Sequence, residues 1–308
     1  MAALLYYAGC LLVGYIALTM FFYALSLVLP KAAFVARVLA SYMSLIVCSL
    51  YGVSASVALR LVGRGQLSQW TVARSFKYLM GFATGVTFDV EDPRNHLGTV
   101  RPAVFIGNHQ TELDVLMLGC MFPKYCSVTA KASLKKVPFL GWFMALSGSV
   151  FIDRANSKDA RQAMQGAANE IRDKRQSVYM FPEGTRSYAK EPMLLPFKKG
   201  AFHLAVQAQV PIVPVVVANY SHVLWVKGLV FNAGRIPCKV LDPIPTTGLT
   251  AADVDELTRT TRNLMLDELH ALTEKARGLQ AGATKVAPAT ESNGVASKAT
   301  GSDMRVNA

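Results

Sequence analysis

His109 and Asp114 are the residues whose types and spacing most directly suggest chemistry. They close the ends of His109-Gln110-Thr111-Glu112-Leu113-Asp114, just after Asn108. A histidine takes a proton from an alcohol near neutral pH if a partner fixes its tautomer and stabilises the imidazolium. A carboxylate that reaches back across a turn can do both. The apolar run Ala103-Val104-Phe105-Ile106 reads as a buried strand, and Val115-Leu116-Met117-Leu118 reads as the start of a helix. The pair therefore sits at a strand-to-helix turn, over the edge of a sheet. A plainer reading makes Thr111 and Asp114 a helix capping box and His109 an ordinary turn residue.

The elements around this turn carry further candidates. Strand-like runs fall at 86–91, 103–107, 125–130, 149–153, 177–181, 212–218 and 238–242. Helical patterns fall at 157–174, 198–208 and 251–277. In the first of these Ser157 can cap, and Ala160, Met164, Ala167 and Ile171 share a face. Such alternation predicts an α/β fold, a mainly parallel twisted sheet flanked by helices. Parallel strands gather their C-terminal ends at one edge, where ligands bind in open α/β sheets. Lys131 follows 125–130, Arg154 follows 149–153, and Pro182-Glu183-Gly184-Thr185-Arg186 follows 177–181. Three cations beside a general base suit a substrate with both a hydroxyl and a phosphate. Glu183 also reads as a partner for Arg154 or Arg186, and Gly184 as the residue of a tight turn. Lys198 and Lys199, opening a helix, read equally as a second anion contact or as solvated charges.

Composition bounds the class. The 308 residues are 52% hydrophobic and carry a formal net charge of +12. Mean hydropathy is +0.30. Apolar and basic together point to a membrane protein facing anionic headgroups or an anionic substrate. No nucleic-acid-binding module is recognisable, so nucleic acid is not the expected partner. Cys10, Cys48, Cys120, Cys126 and Cys238 are scattered, which fits neither a disulfide framework nor a zinc site and suits a reducing compartment.

Residues 2–30 and 38–59 contain no charged side chain. Each run exceeds the roughly 18 apolar residues of a transmembrane candidate. With Pro30 and Lys31 marking the turn, they read as an N-terminal hydrophobic two-helix membrane hairpin over 1–65, spanning twice or re-entrant. Residues 71–84 read as a basic amphipathic helix on the membrane surface. Arg60, Arg64, Arg74 and Lys77 favour a cytoplasmic face for the downstream chain. Asn219-Tyr220-Ser221 is a glycosylation sequon, relevant only on the lumenal side. The domain expected to do the chemistry spans 66–277, and the Ala-, Gly-, Ser- and Thr-rich stretch 278–308 reads as a disordered tail.

Four blocks carry a family resemblance. They are Asn108–Asp114, Val150-Phe151-Ile152-Asp153-Arg154, Phe181-Pro182-Glu183-Gly184-Thr185-Arg186-Ser187 and Val210-Pro211-Ile212-Val213-Pro214-Val215. In this order they resemble the motifs of the glycerolipid acyltransferases, and among these the fungal-type 1-acyl-glycerol-3-phosphate acyltransferases. The resemblance covers about residues 70 to 245. It implies His109 as general base with Asp114 as its partner. It further implies Lys131, Arg154 and Arg186 on the substrate phosphate, and Glu183, Gly184 and Thr185 shaping the acceptor loop. Pro211 and Pro214 would be structural or acyl-related. Gln110 stands where many relatives have serine. The implied substrates are acyl-CoA and lysophosphatidic acid, with membrane lipids as surroundings and no metal or prosthetic group. The implied place is the endoplasmic reticulum membrane, with the catalytic domain facing the cytoplasm. Another acceptor, such as glycerol-3-phosphate or a larger lysophospholipid, and a non-catalytic protein binding anionic lipids are the competing readings.

Overall fold

The computed structural model describes residues 1–153 and 157–285. Arg154, the side chains of Ser157 and Ala160, and the stretch 286–308 lie outside the described parts. The helices are α1 (Ala2–Leu25), α2 (Ala32–Leu61), α3 (Ser68–Thr84), α4 (His96–Thr99), α5 (Asp114–Met121), α6 (Leu140–Leu146), α7 (Ser157–Lys174), α8 (Gly200–Ala208) and α9 (Val254–Lys285). The strands are β1 (Val86–Glu91), β2 (Val104–Gly107), β3 (Cys126–Lys131), β4 (Val150–Ile152), β5 (Ser177–Met180), β6 (Ile212–Val217), β7 (Leu224–Trp225), β8 (Val230–Phe231) and β9 (Gly234–Val240).

Seven strands form one sheet in the order β1-β9-β6-β2-β5-β3-β4. The five from β6 to β4 are parallel. β9 runs antiparallel to β6, and β1 runs parallel to β9. The expected mainly parallel α/β fold is therefore present. β6, Ile-Val-Pro-Val-Val-Val, is buried at every position, as a central strand covered on both faces must be. Val213, Val215 and Val217 face one layer with α3 and α5. Ile212 and Val216 face the other, with α7, α8 and α9. Ala167 and Ile171 on α7 are buried there, as their spacing predicts. α9 runs on past the expected end at residue 277, because Ala, Leu, Gln and Lys in 279–285 favour helix strongly enough to absorb the glycines.

α1 and α2 form the expected apolar pair. α2 does more than its composition suggests. Ala32, Ala36, Ala40, Ser44, Cys48, Gly52 and Ser56, spaced by four, make a buried row of small residues along its length. Such a row lets backbones approach closely. A Cβ on Gly52 would lie 2.6 Å from the Phe143 ring of α6 and 3.1 Å from Val72 of α3. Arg37 fastens the other end, donating to the carbonyls of Thr84 (2.9 Å) and Phe231 (3.0 Å). Between α2 and the sheet lies α3, which buries Val72, Phe76 and Met80. The helix expected on a membrane surface is thus a packed layer, though Tyr78 and Phe82 remain exposed.

Gly52→Leu should overpack this contact at about 1–3 kcal/mol and lower Tm in detergent by roughly 3–10 °C. An unchanged Tm would show that α2 does not bear on α3 and α6.

Candidate active site

β2 ends between β5 and β6, so the turn after it is flanked on both sides. Gly107 permits this turn, because a Cβ there would clash with the Tyr179 hydroxyl. Asn108 then ties the turn to β6: its Nδ2 donates to the Val217 carbonyl and its Oδ1 accepts from the Val217 N–H, both at 2.9 Å. Gln110 Nε2 donates to the carbonyls of Val217 and Ala218.

The His109 and Asp114 side chains meet. His109 Nδ1 lies 2.6 Å from Asp114 Oδ2, which also accepts from the Gln110 N–H at 2.6 Å. Asp114 Oδ1 accepts from the Tyr220 hydroxyl at 2.6 Å. Tyr220 in turn accepts from the Thr111 N–H at 3.1 Å and contacts Thr111 Oγ1 at 3.0 Å. Burial first, and the Asp114 charge second, hold the Tyr220 phenol well above its usual range, so it stays protonated and donates. The carboxylate assigns the proton on the His109 ring to Nδ1 and leaves Nε2 as the basic nitrogen. The ring stacks on Phe181, centroids 4.1 Å apart and planes within 16°. A part-buried imidazole oriented by a buried carboxylate in this way can accept a proton from a hydroxyl placed at Nε2. The capping-box reading fails on geometry. The N-cap of α5 is Leu113 and makes no side-chain cap bond.

Glu183 is brought to the same turn from the β5 side. Its Oε1 accepts from the His109 N–H at 2.7 Å and its Oε2 from the Leu195 N–H at 2.8 Å. Both oxygens go to backbone, and Arg186 pairs instead with Glu112 at 2.9 Å. Burial pushes the Glu183 carboxyl up to about 7 against these two donors. Arg186 Nη1 also donates to the Tyr188 hydroxyl. Gly184 has φ +70°, the conformation its turn requires, and Lys198 lies across it, 3.0 Å from where a Cβ would be. Thr185 is exposed beside it. Lys131 ends β3, exposed, in register with Ile152 near the end of β4. Lys199 pairs with Asp255 at 2.6 Å. In the fourth block, the carbonyls of Pro211 and Pro214 accept from the N–H groups of Val104 and Leu241, so both prolines register β6. Sequence reasoning gave no role to Tyr220 or Phe181. The cue for Phe181 is an aromatic residue directly after a strand, whereas Tyr220 has no periodic relation to Asp114. Asn219 of the sequon is buried, and its Nδ2 donates to the Ala189 carbonyl, so a glycan there is incompatible with the fold.

An oriented imidazole–carboxylate pair at the end of a central parallel strand, in a chain with an apolar N-terminal helix pair, puts the protein in the class of α/β proteins with a site at the sheet edge. The sequence comparisons narrow the class. Residues 88–218 match the sequence model of the acyltransferase family. The chain is 45% identical over 222 residues to the 1-acyl-sn-glycerol-3-phosphate acyltransferase of Saccharomyces cerevisiae, covering 72% of this chain and 73% of the yeast protein. It is 42% identical to human 1-acyl-sn-glycerol-3-phosphate acyltransferase beta, covering 67% and 71% of the two chains. The crystal structure of the 1-acyl-sn-glycerophosphate acyltransferase from Thermotoga maritima shares the fold, with TM-score 0.57, 21% identity, and coverage of 84% of this chain and 97% of that one. The chain belongs to the acyltransferase family, as its four blocks imply.

Glu183 gives the site a pH signature. Its folded value of about 7 lies above the ordinary 4.5. The folded protein therefore holds a proton that the unfolded chain has released, and this contribution is full below about pH 4.5 and lost as pH rises to about 7. At about 1.4 kcal/mol per unit, the unfolding free energy of wild type minus that of Glu183→Gln should fall by up to roughly 3 kcal/mol across that window. A difference constant with pH would show that Glu183 titrates as an ordinary carboxylate.

Proposed function

We propose that the chain transfers the acyl group of acyl-CoA to the sn-2 hydroxyl of lysophosphatidic acid, giving phosphatidic acid and free coenzyme A. The observation that carries this reading is the His109–Asp114 pair at 2.6 Å, with no hydrogen bond to Nε2 among the described residues, beside a cation-bearing loop. The relatives' names support the acceptor. The thioester is already activated, so no protein nucleophile is required. His109 Nε2 takes the hydroxyl proton as the oxygen attacks the thioester carbonyl. The tetrahedral intermediate collapses, the C–S bond breaks, and the departing thiolate takes that proton from His109. Asp114 offsets the charge of the imidazolium in between, and Tyr220 holds the far oxygen of Asp114. Lys131, Arg154 and Arg186 would bind the acceptor phosphate, with Glu183, Gly184 and Thr185 holding the loop in place.

The test is coenzyme A release from oleoyl-CoA with lysophosphatidic acid, with glycerol-3-phosphate and with no acceptor. His109→Ala should lower acceptor-dependent release by about 10²–10⁴-fold at unchanged Tm, the range expected of general-base assistance. Most of the rate surviving in that variant would remove His109 as the base. Release with glycerol-3-phosphate alone would keep the mechanism and change the acceptor. Lipid binding without any release would favour the non-catalytic binder.

We propose further that α2 lies along one leaflet, with the catalytic domain on the cytoplasmic face of the endoplasmic reticulum. A helix buried against the domain from Ala32 to Ser56 has that domain beside it at both ends. Its free side presents Tyr42, Ile46, Leu50, Tyr51 and Val57, and α3 adds Phe82. These form an apolar platform of the kind that sinks into the headgroup boundary. Five free cysteines support a reducing side. In a Cys10→Ser background, Leu29→Cys and Val62→Cys flank the two ends of α2. Both should react with a membrane-impermeant maleimide added on the catalytic-domain side of sealed vesicles. Reaction of only one from that side would mean that α2 crosses the bilayer.

A further inference from the structure

Two cavities, each about 350 Å³, meet at Ser221 and Trp225. The first opens on the catalytic turn, where Gln110, Thr111 and Tyr188 line it. It continues along Leu224, Trp225 and Val226, a mostly apolar wall, with Lys227 at the same cavity. The second brings charged side chains to its wall, Lys190, Arg277 and Glu191, beside His222 and Asn219. Lys190 Nζ stands 5.1 Å over the Trp225 ring. Arg277 pairs with Glu191 at 2.6 Å, so the joined space holds three cations against one carboxylate. His222 Nε2 is buried without a hydrogen-bond partner among the described residues.

The loop after β5 serves both this space and the phosphate-binding candidates: Arg186 is followed by Ser187–Ala189 in the wall of the first cavity and by Lys190 and Glu191 in the second, and Arg186 Nη1 donates to the Tyr188 hydroxyl on that wall. Lys131 and Arg186 follow β3 and β5, on one side of β2. The cavity residues Tyr220 to Lys227 follow β6, on the other side. His109 stands between them, at the end of β2.

We infer that the joined cavities are the acyl-donor site. The thioester and pantetheine arm of coenzyme A would lie in the apolar cavity beside Gln110 and Thr111, and its phosphorylated nucleotide between Lys190, Lys227 and Arg277. This rests on the reaction proposed above. The sequence of environments follows the donor molecule: a reactive end at the catalytic turn, an arm with few charges, then phosphates and an aromatic base. Lysine and arginine supply charge-assisted bonds to phosphate. Trp225 offers a face for the base, since stacking on an aromatic ring is indifferent to base identity. A lysophospholipid presents the reverse order, with its phosphate close to the reacting hydroxyl.

The experiment uses the full chain in detergent, wild type and the double variant Lys190→Ala with Lys227→Ala, both lysines being exposed. The KM for oleoyl-CoA and the calorimetric Kd for coenzyme A should each rise about tenfold, while the KM for lysophosphatidic acid stays within about twofold. With oleoyl-pantetheine, which lacks the nucleotide, wild type and variant should not differ. An unchanged KM for oleoyl-CoA, or a rise confined to lysophosphatidic acid, overturns the assignment. Wild type that binds coenzyme A through these lysines but acylates no acceptor would sink the proposed reaction and leave the donor site standing. Wild type that acylates lysophosphatidic acid with a donor KM blind to both lysines would do the reverse.

Discussion

The burial of the Asp114 carboxylate is the constraint on which the rest of the structure depends. The residue is 1% exposed. An ionised carboxylate withdrawn from water costs several kcal/mol unless donors replace the lost hydration. Here three do: the His109 ring, the Gln110 N–H and the Tyr220 hydroxyl. The first two belong to the turn itself. Tyr220 is 106 residues away in sequence and reaches Asp114 only because β6 lies beside β2. The order of the strands is therefore a condition for charge at the site, beyond its part in the core. Asn108 enforces the same neighbourhood by pairing both ends of its amide with Val217.

A second buried carboxylate holds the other flank in a different way. Glu183 takes two backbone N–H groups, from His109 and Leu195, and forms no ion pair among the described residues. Two neutral donors do not match the hydration it loses, so its proton is retained to higher pH than usual. Asp114 keeps a partner that can itself become charged. The two carboxyls thus divide the work: Asp114 answers to the charge on the histidine, and Glu183 fixes the backbone that carries it. The ring has little freedom left between Asp114 and the face of Phe181. Rigid placement before the substrate arrives is what makes a general base effective.

Much of this was legible in the sequence where the pattern is local. The apolar run 212–218 marks a strand, and the face of 157–174 marks a helix by its period. Signals that depend on distant partners were not legible. β7 and β8 are two residues each, too short for any period to show. β9 begins at Gly234 rather than 238 because pairing with β1 overrides Arg235 and Pro237, which read as interruptions. Tyr220 carries no cue, since its role exists only once β6 is set against β2. Glu183 was visible as a loop carboxylate, but its purpose as a backbone clamp was not. The small-residue row of α2 was present in plain view, yet it reads as a membrane span until α3 and α6 are known to cover it.

That row also joins the site to the N-terminal apolar helices. α2 packs on α3 through Gly52 and its neighbours. α3 packs on α5 as tightly, since a Cβ on Gly119 would meet the Ala73 carbonyl at 3.0 Å and the Lys77 N–H at 3.1 Å. Arg74 of α3 donates to the carbonyls of Gly119, Cys120 and Phe122, capping the end of α5. α5 begins with Asp114 itself. Two close contacts, one against side chains and one against backbone, therefore separate the apolar platform from the carboxylate that pairs with His109. Close-packed interiors transmit position with little slack. On the proposed placement in one leaflet, the depth of the imidazole below or above the headgroups is set by these contacts and not by a flexible tether. A lipid acceptor that stays in its own leaflet would then meet the base at a fixed height, with only its headgroup leaving the bilayer.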